Sequence, residues 1–360
     1  MSSRQLTIVM LGLSITSSWG NGHATTYRGL VRGLVERGHT VLFLEREVPW
    51  YADNRDLPKP PYCRTEIYLS LTDLKKRFAA EVREADAVIV GSYVPEGIAV
   101  GEWVTATARG ITAFYDIDTP VTMAKLEYGD AAYLSASLIP RYRLYLSFTG
   151  GPLLDGIEKR YGSPLARPLY CSVDPELYFF REAGKRWDIG YLGTYSDDRQ
   201  PLLDRLLLEP ARRSERCRYV VAGPQYPESI VWPYNVERIV HLNPAEHCAF
   251  YNGQRFTLNI TRADMVRAGY SPSVRLFEAA ACATPIISDY WEGLEQFLEP
   301  GKEILVSRSP EDTLQYLHDI AEQDRLALGA RARERVLSQH TAAHRAAELE
   351  GYIAEVISGS

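Results

Sequence analysis

The chain has 360 residues, 46% of them hydrophobic, and a formal net charge of -6 from 40 basic and 46 acidic side chains. That length suits two domains of ordinary size, each with enough apolar residues for its own core. Slight acidity argues against nucleic acid as the main partner, because such a partner calls for a basic stripe.

Only seven of the 40 basic residues are lysine. The arginine excess suits bidentate recognition of phosphate or carboxylate, although genome base composition explains it more simply. Five cysteines, Cys63, Cys171, Cys217, Cys248 and Cys282, show no paired metal-ligand spacing. They point to a reducing compartment and no structural zinc. The apolar run 6–13 is too short to span a bilayer and lacks a cleavage site, so the expectation is a cytoplasmic protein with no transmembrane segment.

In chain order, "LTIVMLGLSI" (6–15) reads as a buried strand. The stretch "ATTYRGLVRGLVERG" sets Tyr27, Leu30, Val31, Leu34 and Val35 at helical spacing, and "HTVLFLE" is again a strand. This is a βαβ unit and implies a parallel sheet. Further strands are expected at 87–90, 112–115 and 144–148. The segment 167–186 is rich in Pro and aromatic residues and reads as a crossing. After it the rhythm restarts with "WDIGYLG", "RYVVAG", "RIVHL", "FTLNIT", "TPIIS" and "EILVS".

The simplest model is α/β: two doubly wound Rossmann-like domains, 1–168 and 187–338, joined by a linker at 169–186 and facing a central cleft. Open α/β sheets bind ligands at the carboxyl ends of their strands, at a topological switch point.

Three stretches bear on such sites. In "TSSWGNGHATTY", Gly20, Asn21 and Gly22 allow a tight turn into a helix whose first amides suit an anion or a sugar hydroxyl. As a dinucleotide fingerprint it lacks the third glycine, with Glu45, about 23 residues beyond Gly22, as the ribose acid. His23 opens the helix as a general base, a hydrogen-bond donor to substrate, or a simple helix cap. In "FYDIDTP", Asp116 and Asp118 at a strand end read as a metal pair, an acceptor-binding pair or two solvated loop residues; strand alternation sends both carboxylates the same way. In "SPSVRLFEAAACATPIISDY" (271–290), Ser271 as N-cap and Pro272 at N1 start a helix. Residues 271, 275 and 278 then share a face. Arg275 flanks a diphosphate held by the first amides, and Glu278, roughly 10 Å along the axis at about 1.5 Å per residue, reaches a ribose. The alternative is a plain Arg275–Glu278 ion pair.

The stretch "SVRLFEAAACATPIIS" resembles the donor-site helix of GT-B glycosyltransferases. Together with "DIGYLGTYSDDR", "GYSPSVRLFE" and "LEPGKEILV" it resembles the CgeB-like family, over essentially the whole C-terminal half. "CSVDPELYF" is similar to the Asn-Gly-Val-Asp motif that begins the crossing in such enzymes, and the "GNGH" start resembles their acceptor side.

The resemblance implies a metal-independent, hexosyltransferase-like enzyme that needs no cofactor and uses a nucleotide-diphosphate sugar, a UDP-sugar above all, as co-substrate. It places Glu278 on the ribose. Tyr270 stands where many retaining relatives carry a second glutamate. Where relatives have Gly-Arg and then a phosphate-binding lysine, this chain has Gly193, Thr194 and Arg199. Gly223 forms a cleft turn, His241 and Leu242 read the base, and Ser271 and Ser273 lead into the donor helix. His23, Asp116 and Asp118 are the candidate bases, and the helix 341–357 crosses back to the first domain. A nucleotide-sugar epimerase and a non-catalytic sugar-nucleotide binder are the alternatives.

Overall fold

The computed structural model describes residues 4–19, 22–130 and 132–359. It divides into two compact units, Met1–Cys171 with Ala342–Ser360, and Ser172–Thr341.

The first unit holds a seven-stranded sheet. Its strands are β1 (Thr7–Gly12), β2 (Thr40–Arg46), β3 (Arg64–Tyr68), β4 (Ala87–Gly91), β5 (Ile111–Asp116), β6 (Leu144–Ser147) and β7 (Ala166–Pro168), in the order β3-β2-β1-β4-β5-β6-β7. All pairings are parallel, with Met10 opposite Phe43 on one side and Ile89 on the other. Central strands covered on both faces read as continuous apolar runs, which is why 87–91 and 111–116 were legible. Residues 167–168, which open the expected crossing segment, close this sheet instead as part of β7.

Two cores lie on the faces of this sheet. One gathers Ile8, Met10, Phe43 and Tyr115 with Leu30 and Leu34 of the helix His23–Glu36 and Leu349, Ile353 and Val356 of the last helix, Ala342–Ser358. The other packs Val9, Leu11, Val88 and Val90 against Phe78, Val104 and Tyr142. The last helix sits close on the first: a Cβ at Gly29 or Gly33 would lie 3.0 Å from the Cβ of Ala342 or Ala346.

The second unit holds six parallel strands: β8 (Trp187–Leu192), β9 (Tyr219–Ala222), β10 (Val236–Ile239), β11 (Gln254–Asn259), β12 (Ile286–Ser288) and β13 (Leu305–Val306), in the order β10-β9-β8-β11-β12-β13. Its core gathers Ile189, Tyr191, Tyr219, Val221, Phe256, Leu258 and Ile287.

Two expected boundaries shift. The first strand ends at Gly12 rather than 15, because the chain then wraps around a buried carboxylate described below. The donor helix runs Val274–Ala281 with Ser273 as its N-cap, not Ser271. The reason is local: Ser273 keeps extended angles while its Oγ accepts the Arg275 N–H at 3.4 Å, so Pro272 lies outside the helix. Among the described residues no helix is long and apolar enough to cross a membrane, and no disulfide joins any of the five cysteines.

Candidate functional site

The strand orders put a switch point between β8 and β11 in the second unit, where the chain steps from β8 toward β9 but from β11 toward β12. Arg275 occupies it. Its Nε donates to the Leu192 carbonyl at the end of β8 (2.6 Å), and its Nη1 donates to Asn259 Oδ1 at the end of β11 (2.9 Å) and to Ser273 Oγ (3.3 Å). The guanidinium also lies 5.0 Å from the centre of the Tyr191 ring. No hydrogen bond to a described residue uses Nη2, and a Cβ on Gly193 would come within 3.1 Å of it.

Arg199 joins this cation from the loop after β8, its Nη2 donating to the Thr194 carbonyl at 2.7 Å. Burial lowers its guanidinium pKa below the usual value; Tyr191 opposes this and the Arg275 charge adds to it. Its Nε is buried without a hydrogen-bond partner among the described residues. A third arginine, Arg238 at the end of β10, donates to the carbonyls of Val221 and Gly223 and lies over the rings of Tyr226 and Trp232.

None of these three arginines forms an ion pair among the described residues, whereas many surface arginines do, as in Arg4–Asp86 or Arg160–Glu127. Arg275 is buried and Arg199 and Arg238 are half-buried, and like charges gathered in this way without a bonded carboxylate are costly unless an anion joins them. The turns beside them bring backbone close. Gly223 has φ +143°, and a Cβ there would stand 2.0 Å from the Gly193 carbonyl oxygen; only glycine fits.

Arg275 and Glu278 do not pair with each other among the described residues. Glu278, about 7.5 Å of helix rise beyond the Ser273 cap, is 7% exposed and accepts the Tyr251 hydroxyl at 3.0 Å. The Arg275 and Leu276 amides are already taken by Ser273, so the helix start offers fewer donors than Ser271 as N-cap implied. Ser271 is buried. Tyr270 adopts φ +48°, its N–H bonded to the Glu292 carbonyl at 2.6 Å and its ring covering Gly293. His241 and Leu242 follow β10, at the edge of the sheet and two strands from β8. Gly193, Thr194, Arg199, Gly223, Ser273 and Arg275 thus converge, and His241 and Leu242 lie just past β10, the strand that carries Arg238.

Asn259 and Asp289 escaped the sequence reading. Asn259 ends β11 and Asp289 directly follows β12, and a polar residue closing an apolar run ("FTLN", "PIISD") was the available signal. Burial raises the Asp289 carboxyl pKa to about 6, against the opposing hydrogen bonds from Thr261.

In the first unit the switch point lies between β1 and β4. Gly20 and Asn21 lie outside the described residues. Gly22 is the N-cap of the first helix with no side-chain cap bond. His23 follows it, its ring 5.4 Å from that of Tyr93 just beyond β4. Nδ1 of His23 has no partner among the described residues, so the side chain is no helix cap, and burial lowers its pKa to about 4. Tyr93 holds φ +63°, uncommon for a bulky residue, and donates to Asp118 Oδ2 at 3.0 Å.

The two aspartates are not equivalent, contrary to the alternation argument, because Asp116 is the last residue of β5 and Asp118 lies past it. Asp116 is fully buried, with Oδ2 accepting Tyr145 (2.6 Å) and Oδ1 accepting Thr122 (2.8 Å). Burial raises its pKa to about 7 despite those bonds. A raised carboxylate pKa gives stability that is complete below about pH 4 and lost as pH rises to about 7. Asp116→Asn is therefore expected to gain on the wild type by up to about 4 kcal/mol between acid and pH 8. Urea unfolding at several pH values checks this; a flat difference contradicts it. His23 contributes the opposite slope, from about pH 6.5 down to about 4, and cancels in the comparison.

Glu45, the ribose acid of a dinucleotide reading, is committed elsewhere. It is fully buried and accepts the Ile15 and Thr16 amides (2.7 and 3.0 Å) and the Ser14 and Thr16 hydroxyls (3.1 and 2.7 Å). Asp56 then takes the amide and hydroxyl of Ser18 and both Nη atoms of Arg28, all at 2.8 Å. The loop so held presents Trp19, whose ring lies 4.4 Å from that of Trp50, both exposed.

Residues 199–351 match the family model described as glycosyl transferase-like. No curated protein sequence matches the chain. Among solved structures, HepE of Anabaena aligns with TM-score 0.70 at 13% identity over 99% of this chain and 100% of its own. Sucrose-phosphate synthase from Thermosynechococcus elongatus aligns with 0.69 at 13% over 99% and 100%. A glycosyltransferase from Rickettsia africae aligns with 0.66 at 11%, again over 99% and 100%. The fold is the two-unit Rossmann-like arrangement of GT-B proteins.

Proposed function

We propose that the chain is a glycosyltransferase that moves a hexose from a UDP-sugar to an acceptor hydroxyl without a metal ion. The observation that carries the reading is the group of three arginines, Arg199, Arg238 and Arg275, at the strand ends of the second unit, none of them in an ion pair among the described residues and with only Asp198 acting on Arg199 from a distance. A leaving nucleoside diphosphate supplies that missing negative charge. The glycosyl transferase-like match over 199–351 and the HepE structures with UDP-glucose and with UDP and glucose support the same class. Kinship with the CgeB-like enzymes rests on the motifs around the donor helix.

In this reading, charge grows on the diphosphate as the glycosidic bond breaks. Fixed cations aimed at it act without reorganisation at the moment of reaction. Arg275 is preorganised by the Leu192 carbonyl and Asn259, leaving Nη2 for the phosphate, and Arg199 adds a second fork. Glu278 accepts the ribose hydroxyls while Tyr251 fixes its orientation. In the first unit His23 is neutral at pH 7 and has a ring nitrogen to spare, which suits accepting a hydrogen bond from the acceptor hydroxyl, while its lowered pKa makes it a weak proton acceptor. Asp116 has both oxygens engaged and serves as structure. Exposed Trp19 and Trp50 suit stacking on a sugar or a flat aromatic acceptor.

The test is UDP release from UDP-glucose with a panel of hydroxylated acceptors in excess EDTA. Release that needs an acceptor and survives EDTA is expected. A strict manganese requirement returns the Asp116–Asp118 pair to a metal role. Sugar conversion without any acceptor makes the chain an epimerase, and UDP binding with no turnover makes it a non-catalytic binder.

A further inference from the structure

One buried polar atom at the strand ends of the second unit is not used by the scheme above. Asp289 directly follows β12 and is 6% exposed. Its Oδ1 accepts the Thr261 amide (3.0 Å), the Thr261 hydroxyl (3.1 Å) and, more distantly, the Ser288 hydroxyl (3.5 Å). Its Oδ2 is shielded from solvent and has no hydrogen-bond partner among the described residues. Buried carboxylate oxygens are rarely left so, and the exceptions concentrate where a ligand completes the set.

The carboxylate is tied to the arginine site by side chains. Arg275 bonds Asn259 at 2.9 Å, and the Asn259 amide donates to Ser288 Oγ at 2.9 Å and Thr261 Oγ1 at 3.3 Å. Both of those residues hold Asp289. Strand spacing of about 4.8 Å sets the end of β12 roughly 10 Å from the end of β8, where the cations gather. An acidic acceptor at that distance is repelled by a diphosphate and satisfied by a hydroxyl, so one elongated ligand meets both groups only if it is anionic at one part and hydroxylated at another.

We propose that Asp289 is a binding residue for a free hydroxyl of the transferred sugar, and that it sets the preference for a polyhydroxylated hexose over the bare nucleotide. The assignment rests on the nucleotide-sugar reading above. Oδ1 stays with Thr261, and Oδ2 takes the hydroxyl in a charge-assisted hydrogen bond, stronger than a neutral one. Glu278, on the donor helix, meets the other hydroxylated ring, the ribose.

Calorimetric titration with UDP and with UDP-glucose tests it on wild type, Asp289→Asn and Asp289→Ala, with thermal unfolding of each protein alongside. Wild type is expected to bind UDP-glucose more tightly than UDP. Both variants are expected to lose about tenfold or more of UDP-glucose affinity while UDP affinity holds. Asp289→Asn, which keeps an acceptor for Thr261 and avoids burying a charge, is expected to keep or raise the wild-type midpoint. Equal weakening toward both ligands reduces Asp289 to a structural role and overturns the assignment, as does a wild type that binds UDP and UDP-glucose alike. A wild type that binds neither overturns the nucleotide-sugar reading itself, and the assignment with it.

Discussion

Arg275→Lys is expected to lower kcat/KM for sugar transfer by about 100-fold to 1,000-fold, the scale seen when one preorganised donor to developing charge is removed. The loss exceeds that of a deleted surface cation because Arg275 does three things with one planar fork. Nε fixes the Leu192 carbonyl, Nη1 fixes Asn259, and Nη2 remains beside Gly193. A lysine keeps the charge but not the fork, so it cannot bridge the ends of β8 and β11 while still facing a phosphate. The midpoint of thermal unfolding should fall as well, since a carbonyl and an amide oxygen lose their buried donor. Wild-type turnover in Arg275→Lys contradicts the assignment of this cation to the leaving group.

Glu45→Ala should cost several kcal/mol of stability in the first unit. The Ile15 and Thr16 amides lose their acceptor in a buried loop, at about 1–3 kcal/mol each, and the Ser14 and Thr16 hydroxyls, which already accept from the Ser17 amide and Arg55 Nε, lose the acceptor of their own protons. For a domain of this size that corresponds to roughly 2–4 °C in Tm per kcal/mol. Glu45→Gln retains one acceptor oxygen and should lose about half as much. Since the same loop leads to His23, transfer activity should fall with stability in both variants. If Glu45→Ala unfolds like the wild type, the loop is held by something other than this carboxylate.

The fold was legible because its strands are buried on both faces. Runs such as Ala87–Gly91 and Tyr219–Ala222 carry no polar interruption, and the intervening amphipathic helix His23–Glu36 announces a parallel crossover. Strand β3, with only Tyr68 buried, and the three-residue β7 gave no such signal.

Of the site, the arginine and glutamate of the donor helix stood out because charge is out of place in a run of alanine. What failed was local detail. Ser271 and Ser273 both look like caps, and only the backbone bonds of Tyr270 and Ser273 decide between them. Long-range partners were invisible in principle: nothing in the spacing tells that Glu45 reaches back 29 residues to Thr16, or that Arg275 reaches 83 residues to Leu192.

The central claim is that the second unit binds a nucleoside diphosphate through its arginines and the donor-helix carboxylate. Titration of UDP into wild type and Glu278→Ala in EDTA tests it most directly. The account predicts saturable binding to the wild type, weakened about tenfold or more when the ribose acceptor is removed. UDP binding that is unchanged in Glu278→Ala, or no binding to the wild type at millimolar nucleotide, would contradict it.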